Sequence, residues 1–170
     1  MCIRDRARAW HETFGLPIIT TNCTNNYGPF QHEEKLIPLM ISYCLKGEKL
    51  PIYGDGSNIR DWLYVKDHCE ALYVVLKNGK KGETYNIGGK NEIKNIEVVT
   101  QICNLLDDLY PKKNGGSYFD QMSFVEDRLG HDYRYGLNIS KIENELGWSP
   151  KESFDSGINK TIEWYLKKIK

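Results

Sequence analysis

The sequence of 170 residues lacks a long apolar run, an excess of charge of either sign and a secretory signal. A membrane-spanning helix needs about 20 apolar residues in succession, and the opening MCIRDR has no apolar stretch of the kind that directs secretion. Basic and acidic residues number 23 each and the basic ones are scattered, so charge alone should not attract nucleic acid. We therefore expect a cytoplasmic protein that binds neither nucleic acid nor membrane.

The sequence also lacks a Cys-x-x-Cys pair, and none of its four histidines lies at ligand spacing from a cysteine or a second histidine. We therefore expect no metal site. The five cysteines, an odd number, are spread along the chain, which is typical of reduced thiols rather than of a disulfide framework. Cys23, Cys44, Cys69 and Cys103 lie in apolar segments, so we predict that they are reduced and mostly buried.

A third absence is that of a G-x-G-x-x-G loop or a P-loop, the motifs that hold the diphosphate of a nucleotide cofactor. The nearest glycine pairs, at 54–56 and 88–89, are predicted to form short turns. One literal match to Tyr-x-x-x-Lys runs from Tyr73 to Lys77. We interpret this match as part of a core helix, because its surroundings, EALYVVLKNG, have the apolar periodicity of such a helix.

What the sequence does contain is the alternation of helix and strand patterns that is typical of an α/β domain. We predict helices at RARAWHETFG, 35–45, 66–77, 96–109, 140–146 and 156–168. We predict strands or extended segments at LPIITTNC, KLPIYG, IRDWLYV, ETYNIGG and SFVEDR. Asn95 is predicted to be the N-cap of the fourth helix, and Ser140 with Glu143 has the spacing of a capping box. The polar stretch PKKNGGS is predicted to be an exposed loop.

Between the first strand and the second helix stands NCTNNYGPF, residues 22–30, with three amides, a tyrosine and a Gly-Pro pair. A turn needs one or two such residues. We interpret the additional amides as donors and acceptors that are offered to a ligand. For Asn22 we expect a plain structural role, and for Asn25 and Asn26 turn formation or helix capping is the alternative.

Six motifs in this chain, in this order, resemble the C-terminal half of the dTDP-glucose 4,6-dehydratase family, which are extended short-chain dehydrogenases/reductases. The motifs are TNCTNNYGPF, EKLIPLMI, LPIYGDGSNIRDWLYVKDHCEALY, GETYNIGG, EDRLGHDYRY and ELGWSP. The similarity runs from about Ala7 to Lys168. YNIGG alone is typical of the wider superfamily, whereas DRLGHDYRY together with NCTNNYGP indicates the dehydratases.

The resemblance implies that residues 1–170 form one partial α/β domain, the end of a Rossmann-type lobe followed by a C-terminal lobe that binds a nucleotide sugar. In the family, an N-terminal lobe carries the Gly-rich loop for NAD, an Asp-Glu pair and the catalytic Tyr-x-x-x-Lys. No catalytic residue is therefore expected in this chain. MCIRDR matches the family poorly, and we expect residues 1–6 to be a non-native start.

The resemblance assigns Asn26 to the nicotinamide end of the cofactor NAD. It assigns the following residues to a dTDP-sugar substrate: Asn25, Lys35, Leu36, Pro51, Ile52, Tyr53, Arg60, Asn95, Asp127, Arg128 and His131. Arg60, Arg128 and His131 would bind the diphosphate, for which a guanidinium offers two parallel donors. The segment 51–53 would hold the thymine ring. The alternatives are structural: a surface arginine on the polar side of IRDWLYV, a solvated lysine and a buried strand at LPIY.

The activity that the resemblance implies is conversion of dTDP-glucose to dTDP-4-keto-6-deoxyglucose. Hydride passes from sugar C4 to NAD, water leaves from C5 and C6, and hydride returns to C6. This chain would supply binding and orientation of the substrate, and the whole enzyme would be a homodimer. Two alternatives are open: another NAD-dependent nucleotide-sugar epimerase or decarboxylase, and a non-catalytic chain that binds nucleotide sugars.

Overall fold

The computed structural model describes residues 2–169, whose helices and strands alternate along the chain. The helices are α1 (Ile3–Phe14), α2 (Leu36–Lys46), α3 (Val65–Asn78), α4 (Asn95–Leu109), α5 (Ser140–Leu146) and α6 (Phe154–Ile169). The strands are β1 (Thr20–Cys23), β2 (Asn25–Tyr27), β3 (Leu50–Tyr53), β4 (Ile59–Tyr64), β5 (Thr84–Ile87), β6 (Glu92–Lys94), β7 (Met122–Val125) and β8 (Arg134–Tyr135). The α/β class is confirmed, and every predicted helix is present to within one turn at each end. Across residues 2–169, no helix combines the length and the apolar content needed to cross a bilayer.

Strand β4 is the centre of the largest sheet. Its second half pairs in parallel with β2, with Asn25 opposite Trp62. Its first half pairs with β6 in antiparallel fashion, with Ile59 opposite Lys94, and with β8 in parallel. Two further parallel pairs, β1 with β5 and β3 with β7, account for the other strands between residues 2 and 169.

Two clusters of buried side chains form the core, and β4 contributes to both. The main cluster joins α2, α4, α6 and β3, and it includes Trp62 and Tyr64 of β4. The second joins α3, α5 and β5, and it includes Leu63. The structural alternative for Arg60 assumed a polar side of β4, but Trp62 and Tyr64 on that side are 3% and 4% exposed. A strand covered on both faces reads as a continuous buried run instead of an alternating one.

The strand pattern differs from the prediction at its shortest elements. β2, β6 and β8 were not predicted, and β2 lies within the amide-rich segment 22–30. The predicted long buried strand LPIITTNC is a strand for Thr20–Cys23 alone and is half-buried there. In the described part of the chain β1 pairs along one edge, with β5, which explains its lower burial.

Two predicted helix caps are wrong. Asn95 is the first residue of α4, and the N-cap is Lys94, whose backbone N–H donates to Glu97 Oε2 at 3.3 Å. Ser140 is likewise the first residue of α5, so the predicted capping box does not form. The backbone N–H of Ser140 donates instead to Asn138 Oδ1 at 2.8 Å. In α4 the first amides donate to backbone oxygens of the preceding segment, from Asn95 to Asn58 O and from Ile96 to Gly56 O.

The prediction of buried cysteines is confirmed for two of the four. Cys44 and Cys103 are buried, Cys23 is half-buried and Cys69 is exposed, which contradicts the prediction. The buried residues of α3 recur every four positions, at Asp67, Ala71 and Val75. Residue 69 therefore lies on the opposite, solvent-facing side of the helix.

Gly157 of α6 provides a test of the main core, because a Cβ at this position would overlap Tyr27 Oη. We expect Gly157→Ala to destabilise the fold by about 1–3 kcal/mol, although alanine is the better helix former by about 1 kcal/mol. Adding Tyr27→Phe removes the overlapping oxygen and should recover part of the loss. Urea unfolding measures each value, with Glu163→Ala on the exposed side of α6 as the control. A Gly157→Ala variant more stable than the parent would contradict this packing.

Candidate functional site

A cleft of about 260 Å³, which we call the site cleft, opens beside β4. Its walls come from β2, the start of α2, the end of β3, β4, the start of α4 and the loop before β8. The lining residues are Asn25, Glu34, Lys35, Leu36, Leu39, Met40, Tyr53, Arg60, Trp62, Asn95, Arg128 and His131. The structure thus brings together most of the residues that the resemblance assigned to the substrate, namely Asn25, Lys35, Leu36, Tyr53, Arg60, Asn95, Arg128 and His131.

Pairing with β4 determines where the central polar side chains enter the site cleft. Asn25 lies opposite Trp62 in the β2–β4 pair, and Arg60 lies within β4 itself. Asn95 directly follows β6, and its backbone N–H donates to Asn58 O at 2.9 Å. Three segments that are far apart in sequence therefore meet at one place because each is hydrogen-bonded to, or part of, the same strand region.

The guanidinium of Arg60 is oriented by backbone oxygens. Nη1 donates to Ile59 O at 2.7 Å and Nη2 donates to Asp132 O at 2.8 Å. Arginine has five N–H donors, so these bonds hold the side chain in place without using all of its donors. Because neither acceptor is a carboxylate, the positive charge of this half-buried residue is not neutralised by its neighbours.

Arg128 lies over an aromatic ring at the other wall of the site cleft. The β3–β7 pair places Tyr53 opposite Val125, shortly before Arg128, and the Arg128 Cζ atom is 4.2 Å from the centre of the Tyr53 ring. Within residues 2–169, neither this arginine nor Arg60 nor Lys35 has a carboxylate at ion-pair distance. The site cleft thus concentrates positive charge that is available to an anion.

His131 is held by the carboxylate of Asp127. The distance from His131 Nδ1 to Asp127 Oδ1 is 2.7 Å, and the backbone N–H of Arg128 donates to the same oxygen at 2.8 Å. The contact with His131 and this backbone N–H hold the pKa of Asp127 below its usual value. Asp127 does not line the site cleft, and it acts on the lining residues His131 and Arg128 through these contacts.

The two neighbouring amides of β2 enter different pockets. Asn25 lines the site cleft, whereas Asn26 lines a separate pocket of about 230 Å³ together with Gln31 and the Gly-Pro turn. Asn26 Nδ2 donates to Thr24 O at 3.1 Å, while its Oδ1 is buried without a hydrogen-bond partner among the described residues. Asn22 has the structural role that was expected, since its Nδ2 donates to Asn86 Oδ1 at 3.0 Å.

Not every assigned residue reaches the site cleft. Pro51 and Ile52 do not line it, and the side chain of Ile52 lies in the main core at 3% exposure. The Tyr73–Lys77 match was interpreted as part of a core helix; α3 does contribute Ala71 and Val75 to the second core cluster, but Tyr73 itself is 62% exposed. The Lys77 Nζ atom lies 5.7 Å from the Tyr73 ring centre, and neither residue lines the site cleft.

Four lining residues were not predicted from the sequence, namely Glu34, Leu39, Met40 and Trp62. A signal existed for Trp62, since strand residues two apart share a face and Arg60 was already a candidate. Leu39 lies one helical turn after the candidate Lys35, which is the corresponding helical signal. No sequence feature distinguished Glu34 or Met40 from ordinary surface and core residues.

Comparison with known proteins gives the relatives of this chain. A model of the GDP-mannose 4,6 dehydratase family matches residues 3–161. The dTDP-glucose 4,6-dehydratase of Shigella flexneri is 61% identical over 159 residues, 94% of this chain and 44% of that protein. The dTDP-glucose 4,6-dehydratase 1 of Escherichia coli K12 is 60% identical over 163 residues, 96% of this chain and 45% of that protein. The chain therefore spans less than half the length of the curated relatives that it matches.

Solved structures show the same relationship. The dTDP-glucose 4,6-dehydratase of Bacillus anthracis, crystallised in complex with NAD, superposes with a TM-score of 0.86 at 50% identity, over 96% of this chain and 49% of that one. The dTDP-glucose 4,6-dehydratase DesIV of Streptomyces venezuelae, with NAD and TYD bound, gives a TM-score of 0.86 at 44% identity, over 95% and 47% of the chains. The resemblance to dTDP-glucose 4,6-dehydratases that the motifs indicated is confirmed.

The contact between Asp127 and His131 can be tested by titration. The pKa of Asp127 is lowered in the folded chain. The contact therefore stabilises the fold at pH values above the pKa of the unfolded chain, and this stabilisation is lost as the pH falls through the lowered pKa of the folded chain. We expect His131→Ala to raise the Asp127 pKa toward its usual value, as followed by NMR of the carboxyl carbon. Glu83, whose pKa is lowered by Lys141, is the internal control. An unchanged Asp127 titration in the variant would show that His131 does not hold it.

Proposed function

This chain belongs to the GDP-mannose 4,6 dehydratase family, and we propose that it binds the dTDP-sugar substrate of a dTDP-glucose 4,6-dehydratase. One observation carries the proposal. The site cleft joins positive groups that lack carboxylate partners in the described chain to an aromatic ring and two amide side chains. A nucleoside diphosphate sugar has the matching parts, which are a diphosphate, a flat base and hydroxyl groups.

The diphosphate is assigned to Arg60, Arg128, His131 and Lys35. Each arginine can donate two parallel hydrogen bonds to phosphate oxygens. Lys35 is the N-cap of α2, and the free N–H groups at a helix start also favour an anion. Both charge and geometry therefore support this position for the negative group.

The base and the sugar are assigned to the remaining lining residues. Tyr53 offers a flat apolar face beside Arg128, and such a face suits the thymine ring. Pro51 and Ile52 precede Tyr53 in β3 and lie outside the site cleft. Asn25 and Asn95 each carry both donors and an acceptor, which suits the hydroxyl groups of the sugar nucleotide and the phosphate edge.

We propose NAD as the cofactor, with Asn26 as the residue of this chain that contacts its nicotinamide end. The buried Asn26 Oδ1 lacks a donor among the described residues, and the N–H of a carboxamide would satisfy it. When bound, NAD would supply reversible hydride acceptance for an internal redox reaction. The residue present therefore fits this part of the group.

The proposed reaction is the conversion of dTDP-glucose to dTDP-4-keto-6-deoxyglucose. The share of this chain is to hold the nucleotide so that the sugar is presented in one orientation. Fixing a reactant in this way removes a large entropic part of the barrier. Arg60 with its two carbonyl contacts and Arg128 on Tyr53 are already held in place before the ligand arrives, which lowers the ordering cost of binding.

The assignment of Arg60 to phosphate predicts a selective loss of binding. Arg60→Ala should weaken the binding of dTDP by roughly ten- to a hundred-fold, since a hydrogen bond to a charged group contributes about 1.5–3 kcal/mol. Arg60→Lys should recover part of this, because an ammonium cannot make the two-pronged contact. Thymidine, which has no phosphate, should bind equally well to all three proteins.

Isothermal titration calorimetry measures these affinities, and Arg6→Ala on the exposed surface of α1 is the matched control. An equal loss for thymidine and dTDP in Arg60→Ala would place the residue at the base or in folding. The phosphate assignment would then be abandoned.

A second prediction concerns catalysis by the 170-residue chain. The sequence has no Gly-rich diphosphate loop, and its one Tyr-x-x-x-Lys match lies outside the site cleft. We expect the purified chain to bind dTDP but to form no 4-keto sugar from dTDP-glucose and NAD, as measured by absorbance of the product in alkali. Formation of 4-keto sugar would show that residues of this chain carry the proton transfers.

A further inference from the structure

We infer that Asp61 is a positioning residue of the site cleft, which it serves by holding the turn that delivers Asn95 to the ligand. The inference rests on the proposed function for its ligand, dTDP. It concerns a residue that does not line the cleft. The attachment of the turn to Asp61 can be tested without any ligand.

Asp61 is a buried carboxylate next to Arg60 in β4, with 2% exposure. Its Oδ2 accepts the backbone N–H of Gly89 at 3.0 Å, and its Oδ1 accepts the backbone N–H of Asn91 at 2.8 Å. Within the described residues no cation lies at ion-pair distance from it. The charge is therefore stabilised by two amides of one turn, and an asparagine at this position would leave one of these amides without an acceptor.

The turn at 88–91 is also attached to β4 by its backbone, since the N–H of Trp62 donates to Asn91 O at 3.0 Å. A Cβ at Gly89 would overlap Trp62 O, so the backbone of the turn presses directly on β4. Lys90 has a φ of 56°, a conformation that is unfavourable for a residue with a side chain. Asn91 Nδ2 donates to Trp62 O at 3.3 Å and reinforces the same attachment. Asp61 and Asn91 thus hold a strained turn against the strand.

The position of this turn sets the register of everything that follows it. β6 starts at Glu92, runs back along β4, and brings Lys94 opposite Ile59. Asn95 then begins α4, with its N–H on Asn58 O at 2.9 Å, and its side chain lines the site cleft beside Arg60. A one-residue slip of β6 would move every side chain to the other face. The anchor at Asp61 therefore supports the register that brings Asn95 and Arg60 to the same cleft.

Asp67 provides a matched control inside the same chain. It too is a buried carboxylate, 6% exposed, and its Oδ2 accepts two backbone N–H groups, from Lys151 at 3.0 Å and Glu152 at 2.8 Å. The segment that it holds, before α6, does not line the site cleft. If Asp61 served folding alone, Asp61→Asn and Asp67→Asn would have the same consequences.

The binding experiment compares these two variants in the 170-residue chain by titration calorimetry. We expect both variants to lower the midpoint of urea unfolding. Asp61→Asn alone should weaken the binding of dTDP by about ten-fold, which is equivalent to about 1.4 kcal/mol. Thymidine should be unaffected in both. Asn91→Ala, which keeps the charge and loosens the same turn, should weaken dTDP by a smaller factor, and it takes the place of Asp61→Asn if that variant does not fold. Equal dTDP affinities in the Asp61 and Asp67 variants would overturn the inference.

Hydrogen exchange followed by NMR separates this inference from the proposed function. In Asp61→Asn the amides of Gly89, Asn91 and Asn95 should exchange at least ten-fold faster than in the parent chain, after correction for the change in global stability. In Asp67→Asn, with the same correction, they should exchange as in the parent chain. If the parent chain does not bind dTDP, the proposed function fails and the exchange rates alone decide the inference. Unchanged exchange at Asn95 in Asp61→Asn would refute it.

Discussion

The structure depends on the pairing of one strand, β4, with three others. Residues 59–61 pair with β6 and β8, and residues 62–64 pair with β2. The side chains of the same strand enter both cores. Because β4 is paired with other strands and packs into both cores, it holds the segments attached to it in fixed positions. Side chains built on such elements are held more precisely than side chains on free loops.

Charge is distributed in two ways around this strand. The buried carboxylates Asp61 and Asp67 each accept two backbone amides and serve as anchors for turns. The arginines at the site cleft contact backbone oxygens and an aromatic ring instead of carboxylates. Neutralising the arginines internally would stabilise the empty chain but would compete with an anionic ligand. The arrangement keeps positive charge available where a diphosphate is proposed to bind.

The long elements and most of the residues that line the site cleft were predicted from the sequence, but by different routes. Helices such as α4 follow from a 3.6-residue apolar period, which is a local property. β2, β6 and β8 have two or three residues each and exist because β4 lies beside them, which no local pattern states. The candidate site residues came from the motifs of related enzymes, and the pattern of residues alone could not have joined Asn25 to His131. Cys69 and Tyr73 were misjudged because an apolar neighbourhood does not say which side of a helix is buried.

The construction of the site cleft also couples ligand binding to folding. Its lining residues extend from Asn25 to His131 along the chain, so the cleft exists only when β2, β3, β4 and the start of α4 are assembled. An unfolded chain cannot bring these groups together, and a ligand that binds the folded state alone stabilises it by mass action. Ligands of the site cleft should for this reason protect the amides along β4 as a group. At β4, the pairings that define the fold involve the same few residues that are proposed to contact the ligand.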